Sequence, residues 1–261
     1  VNNFGRVAEF HVKDRIFKYP ELEMSFEINF STKSDGNTGH IKIYNLNDKS
    51  IEKLKKDAEF KLKAGYQDDL GLIMLGKIAS ATTKFEDKDK LTKISLDEDI
   101  STLIKVKINK TWAKNTRADI IIRDIINQLP LNLGDLDIVN NQKYRKGKSF
   151  SCNAKKALEE LAKDTDSKLH ISRGKIYFRP EDKGAYRVVK LNKDNGLIAS
   201  PQRVDSGDKE RWKVQSLLRY KIEPDIILDI ESLTLNGHYR VVKGKHKGDW
   251  TTEVEVVKFA G

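Results

Sequence analysis

Residues 41–99 read IKIYNLNDKSIEKLKKDAEFKLKAGYQDDLGLIMLGKIASATTKFEDKDKLTKISLDED, and their spacing sets the fold class. Ile41 and Ile43 alternate with Lys42 and Tyr44, Phe60, Leu62 and Ala64 with lysines, and Ile94 and Leu96 with polar neighbours. A period of two marks strands with one dry and one wet face. Between the first two strands Asp48 is placed to cap a helix over 48–58 that carries Ile51, Leu54 and Ala58 at spacings of three and four. The stretch is expected to be a strand, a short helix and four more strands. It contains no catalytic motif, so its function is expected to lie in its surface.

On the N-terminal side, Arg6–Lys13 and Glu23–Ser31 read as strands, and Ser34-Asp35-Gly36-Asn37 reads as a turn. About seven strands by Leu96 suit a barrel or sandwich. Beyond Asp99 the texture changes. Ile108–Trp112 is a short strand. A helix over 116–129 follows, with Thr116 and Asp119 at capping-box spacing, Ala118, Ile121, Ile122, Ile125, Ile126 and Leu129 on one face, and Pro130 as its stop. A second helix over 153–165 buries Ala154, Ala157, Leu158, Leu161 and Ala162, and Arg173-Gly174 turns a hairpin. After Lys183 strands return at Arg187–Leu191, Trp212–Ile222, Ile226–Glu231, Tyr239–Lys243 and Thr251–Phe259. Glu223-Pro224-Asp225, Asn236-Gly237 and the stretch Lys243–Asp249 are read as turns, and Gly196–Gly207 as a surface loop. Three segments result: a strand-rich 1–100, an α/β insert over 101–183 and a second antiparallel unit over 184–261.

The 261 residues carry a formal charge of +10, and 34% are charged against about 25% in an average soluble domain. Such a surface admits nucleic acid, a membrane surface or an acidic protein as partner, and it equally describes a lysine-rich proteome. The single cysteine, Cys152, excludes an intrachain disulfide and a cysteine-based zinc cluster. It is expected to be a small buried residue. No apolar run approaches the roughly 20 residues of a membrane helix, and the N-terminus VNNFGRVAEFHVKD lacks a signal-peptide core.

Gly71–Lys77 matches a phosphate-binding loop except that Ile78 replaces the hydroxyl residue, and its four intervening residues are a strand run, so no nucleotide is expected. His11, His40, His170, His238 and His246 are dispersed without metal-ligand spacing. Asp68-Asp69 and Glu159-Glu160 read as solvated charge, as do Lys55-Lys56 and Lys155-Lys156. The sequons at Asn29 and Asn109 matter only in a secreted glycoprotein. No cofactor, metal or catalytic residue is expected, and specific nucleic-acid binding is not.

Ordered motifs carry a resemblance. They are Ile43-Tyr44-Asn45-Leu46, Ala64-Gly65-Tyr66 and Gly76-Lys77-Ile78, then Lys148-Ser149-Phe150 before Ala157–Ala162, then Trp212–Leu218, Glu223-Pro224, Asn236-Gly237-His238-Tyr239 and His246-Lys247-Gly248-Asp249-Trp250. Together they resemble baseplate hub proteins of contractile phage tails and phage-like particles, the family that includes late-control protein D. The resemblance implies two tail-tube-like antiparallel β-barrels joined by α/β material, in a homotrimer that links a sixfold tail tube to a threefold central spike. It implies tube, spike and other baseplate proteins as partners. It also implies a place in a virion or phage-like particle assembled in the bacterial cytoplasm, and no enzymatic activity or membrane insertion. Another tail component or a basic nucleic-acid-binding module is the alternative. Tyr44, Asn45, Leu46, Gly65, Tyr66, Gly76, Trp212, Pro224, Gly237, His246, Gly248 and Asp249 are the motif positions with an implied structural role.

Overall fold

Alternation of apolar and polar side chains becomes paired strands in a computed structural model that describes residues 4–180, 187–204 and 210–259. One unit contains Val1–Ser31, Asn37–Glu98 and Gly184–Gly261; the other contains Thr32–Gly36 and Asp99–Lys183. The boundary expected at 183 and the end of the expected loop, 205–207, lie outside the described residues.

The first unit begins with β1 (Arg6–Val12), β2 (Arg15–Tyr19), β3 (Met24–Ser31) and β4 (Thr38–Tyr44). Then come α1 (Asp48–Ile51), β5 (Glu59–Tyr66), β6 (Asp69–Glu86) and β7 (Asp89–Asp97). The second unit holds α2 (Ser101–Lys105), β8 (Lys107–Trp112), β9 (Thr116–Arg117), α3 (Ala118–Ile126), β10 (Asn132–Leu136) and β11 (Lys143–Tyr144). It continues with β12 (Lys148–Asn153), α4 (Ala154–Asp164), β13 (Ser167–Ser172) and β14 (Lys175–Pro180). The chain then returns to the first unit with β15 (Val188–Leu191), β16 (Gln202–Val204), β17 (Arg211–Leu217), β18 (Ile227–Glu231), β19 (Asn236–Lys247) and β20 (Thr251–Lys258).

The two strand-rich segments of the first unit share one sheet, in the order β16-β17-β20-β19-β3-β4-β7-β6-β5-β1-β2. The joint is β19. Its first reach pairs with β18, Ile227↔Arg240 to Glu231↔Asn236, and its second reach pairs with β3, Lys243↔Ser31 to Lys247↔Glu27. Among the described residues no pairing joins β16 to β2, so the sheet is mainly antiparallel and open in its strand order. β15 adds to β18 in parallel, which corrects the all-antiparallel expectation for the C-terminal segment. β10 also joins β14 in parallel.

Each strand-rich half has its own core. The N-terminal half buries Phe10, Ile28, Ile41, Leu62, Met74, Ile78 and Leu96, and takes in Leu218 and Trp250 from the other end of the chain. The C-terminal half closes over Val214, Leu228, Ile230, Val241 and Val256. In the second unit, α3 and α4 turn Ile121, Ile122, Ile125, Leu158 and Leu161 onto Ile171, Ile176 and Phe178.

Local chemistry explains where the elements depart from expectation. The helix expected over 48–58 is a single turn, Asp48–Ile51, capped by Asn47 rather than Asp48: Ser50 N donates to Asn47 Oδ1 at 2.9 Å. Leu54 is buried without helix, and Asp57 at φ 64° turns the chain into β5. The helix expected over 116–129 starts later, because Thr116 is in β9 and its hydroxyl donates to the Ala113 carbonyl, so no capping box forms. Helix 153–165 comes close to expectation as α4, with Asn153 Oδ1 accepting from Lys156 N.

Four strands were expected after α1; three form, because Leu72–Leu75 and Ser80–Glu86 lie in the single strand β6. β2 lies outside the expected strands, β16 is a strand within the loop expected over Gly196–Gly207, and β17 stops at Leu217 rather than continuing to Ile222. The turn expected over Lys243–Asp249 shrinks to the residues after Lys247. Gly244 is no turn residue: a Cβ there would lie 2.5 Å from the Glu253 carbonyl, so glycine allows β19 and β20 to approach.

Candidate assembly surface

Several motif residues meet where the first sheet segment contacts the last turn of the chain. After β19 the chain bends at Gly248, whose N donates to the Phe26 carbonyl at 2.7 Å; a Cβ there would stand 2.6 Å from Phe26 N. Asp249 closes the turn by accepting from the amide and hydroxyl of Thr251. Trp250 follows in the left-handed region at φ 62° and points its indole inward. Its Nε1 donates to the Gly65 carbonyl at 2.9 Å, and its ring centroid lies 4.6 Å from that of Tyr19 and 5.9 Å from that of Phe26. Gly65 is pressed against the opposite arm of its hairpin, a Cβ standing 2.2 Å from the Asp69 carbonyl. Tyr66 beside it is buried, which pushes its phenol up, while Arg6 and Arg219 pull the other way. Burial likewise lowers the Arg219 guanidinium, which donates to the Asn195 carbonyl.

His246 is fully buried one turn earlier, its Nδ1 2.9 Å from Thr252 Oγ1 and its ring 4.8 Å from Phe30. Gly76 lies in β6, where a Cβ would stand 2.0 Å from the Asp97 carbonyl. Pro224 and Asp225, the latter at φ 68°, turn the chain into β18, and Asp225 accepts from Arg240 at 2.9 Å in the core. Gly237, at φ 111°, starts β19. Trp212 sits on β17 with Nε1 donating to Glu210.

Tyr44, Asn45 and Leu46 lie at the end of β4. Leu46 is buried, and Tyr44 N donates to the Glu23 carbonyl. Asn45, at φ 57°, is a residue type that tolerates this region. It clamps the β6–β7 hairpin: its Nδ2 donates to Asp89 at 2.9 Å, its Oδ1 accepts from Lys90 N at 3.0 Å and its own N donates to the Lys90 carbonyl. Lys90 Nζ adds a bond to Asp48.

Of these positions Leu46, Tyr66, Pro224 and His246 are buried, and the exposed apolar side chains lie elsewhere. The β6–β7 hairpin runs past its neighbours, since β5 pairs with β6 only up to Lys77 and β4 with β7 only to Leu91. Its tip carries Phe85, 72% exposed. On the C-terminal half, the turn after β18 presents Leu233, 97% exposed, beside half-exposed Ile198. Both line a cleft of about 630 Å³ together with Leu197, Ala199, Lys193, Asp194 and Glu231. The sequence did signal Phe85, as a lone aromatic inside KFEDKDK, and Leu233, as an apolar residue within a turn.

On the wet face of β19 and β20, Glu253 is half-buried between Lys247 and Lys213. Burial acts to raise its carboxyl, but the two ammonium hydrogen bonds prevail and hold it below its ordinary value. In the second unit Lys148 Nζ contacts Glu160 at 2.6 Å and Asp164 at 2.7 Å, and Tyr144 Oη donates to Asp164 at 2.7 Å. Burial and the Asp164 charge both push the Tyr144 phenol up. Among the described residues no group of three or more His, Cys, Asp or Glu is placed to hold a metal ion, and no helix is long and apolar enough to cross a membrane. Gly71–Lys77 is strand, not phosphate loop, with Ile73 and Met74 buried.

Solved structures share this arrangement along its length. The 43 kDa tail protein of prophage MuSo2 from Shewanella oneidensis superposes with a TM-score of 0.72 at 8% identity, covering 97% of each chain. The fold is that of phage tail proteins. The tail protein from Neisseria meningitidis MC58 gives a TM-score of 0.69 at 8% identity over 98% of this chain and 97% of its own. The E. coli c3393 protein, a type VI secretion component with structural similarity to T4 tail proteins gp27 and gp5, gives 0.66 at 9% identity, covering 96% of this chain and 77% of its own. No protein-family model matches this chain, and no curated protein matches it. At such identities the likeness is one of fold alone.

Proposed function

We propose that this chain is a non-enzymatic structural component of a contractile tail or tail-like particle, the baseplate hub that joins a sixfold tube to a threefold spike as a homotrimer. The observation that carries this reading is a tail-protein fold matched over 97% of both chains. The motif order read from the sequence agrees with it. The two strand-rich halves, hydrogen-bonded through β3 and β19, serve as the two tube-like modules of each copy. Three copies then offer six similar modules to the tube. The motif residues around Trp250 act as the scaffold that keeps the two modules in one sheet. Tube, spike and further baseplate proteins are the partners, and the particle is the place of work.

Mass photometry of the purified protein, followed by capture with tube and spike proteins of the same gene cluster, tests the proposal. A trimer that binds both supports it. A strictly monomeric species that binds neither overturns it, and a monomer that binds the tube alone points to a different tail component.

A further inference from the structure

We infer that the β6–β7 hairpin tip of one copy seats in the cleft beside Leu233 of a second copy, with Phe85 as the inserted side chain. The inference rests on the trimeric reading above and names the surfaces that would join its copies.

Three observations lead to it. First, the tip is a preformed knob: the type of turn is set by Asp87 at φ 55°, and Asn45 and Asp48 hold Asp89 and Lys90 from one side. A rigid tip loses little conformational freedom on docking. Phe85 at 72% exposure is a large apolar side chain with no core to cover it. Second, the cleft supplies what a phenyl ring lacks, an apolar lining of Leu197, Ile198, Ala199 and Leu233, the last 97% exposed. Third, the charges match. Ion pairs within the hairpin and its neighbours occupy Lys84, Glu86 and Lys90. Among the described residues the turn dipeptide Asp87-Lys88 makes no ion pair, and neither does Lys193-Asp194 on the cleft wall. In the proposed contact the acid-base dipeptide meets the base-acid dipeptide, a pairing that favours one orientation of the knob.

Knob and cleft are different surfaces of the same chain, so the contact is heterologous and generates a ring when the rotation closes. A hydrophobic knob entering a pocket elsewhere on an identical molecule is the minimal device for such a ring.

The test uses the full chain. Phe85→Ala and Leu233→Asp are both surface changes, so each should leave the circular dichroism spectrum and melting temperature unchanged while raising the half-assembly concentration at least tenfold in mass photometry. Asp87→Lys should weaken assembly, and Lys193→Asp in the same chain should restore it. In a Cys152→Ser background, Phe85→Cys with Leu233→Cys should give oxidised ladders ending at three copies. A trimer indifferent to all these changes overturns the knob and leaves the hub standing; a wild-type protein that stays monomeric overturns both.

Discussion

Trp250 offers the sharpest check on how the two strand-rich halves are held together. It is 2% exposed, donates its indole N–H to the buried Gly65 carbonyl at 2.9 Å, and packs on Tyr19 and Phe26 from the opposite end of the chain. Trp250→Ala removes the ring and leaves a cavity, at a cost of about 3–5 kcal/mol. Trp250→Phe keeps most of the ring contact but strips the donor, leaving the Gly65 carbonyl buried and unsatisfied, at about 1–3 kcal/mol. At roughly 2–4 °C per kcal/mol for a unit of this size, the melting temperature should fall by about 6–20 °C for the alanine variant and about 2–12 °C for phenylalanine. Calorimetry reads the shift. Hydrogen exchange localises it, with β3, β5 and β19 amides losing protection while α3 and α4 serve as the internal control. Two variants that melt within about 0.5 kcal/mol of wild type would refute the assignment of Trp250 as the joint, since surface changes alone stay in that range.

Further outcomes follow from single contacts. Gly76→Ala places a Cβ 2.0 Å from the Asp97 carbonyl and should cost about 1–3 kcal/mol in urea unfolding, as overpacking does; an unchanged midpoint speaks against that close approach. Arg240→Met removes the ion pair that Arg240 makes with the fully buried Asp225 carboxylate and should destabilise by up to about 3–5 kcal/mol by the same assay. Asn45→Ala removes two side-chain bonds to the hairpin and puts alanine at φ 57°; amide exchange over 85–90 should quicken, and equal exchange rates would contradict the clamp. Stability of the second unit should depend on pH at both ends. Burial acts to raise Asp164, but bonds from Lys148 and Tyr144 hold it below its ordinary value, so its contribution is present above the unfolded carboxylate pKa and lost as pH falls through the folded one. Burial acts to lower Lys148, but bonds to Asp164 and Glu160 hold it above its ordinary value, so its contribution is present below the unfolded lysine pKa and lost as pH rises through the folded one. Lys148→Met should flatten both limbs in thermal melts recorded across pH.

Strand and helix faces were legible because their causes are local. Phe60, Leu62 and Ala64 alternate with lysines, and the former are buried. The apolar sets of α3 and α4 are buried as their spacing requires. The structure departs from the local signal where a neighbouring residue or a distant strand competes with it. Gly244 and Gly248 together resemble a turn, yet Gly244 is needed because Phe30 and Glu253 crowd it. Asp48 looks like a cap, but Asn47 reaches the amide first. For Phe85 and Leu233 the local signal is only an apolar residue among polar ones, and it becomes a surface feature once the fold leaves both side chains exposed.

Composition and periodicity by themselves determined that this chain is strand-rich, that two amphipathic helices lie in its middle, and which side chains face inward. A side chain's face depends only on its neighbours along the chain. The choice of which strands pair was left to tertiary structure: β19 joins β3 across more than two hundred residues, with Lys245 Nζ 3.4 Å from Glu27. Many edges offer the same backbone hydrogen bonds, so partner and register follow from which side chains and glycines allow close approach, and those meet only in the folded sheet.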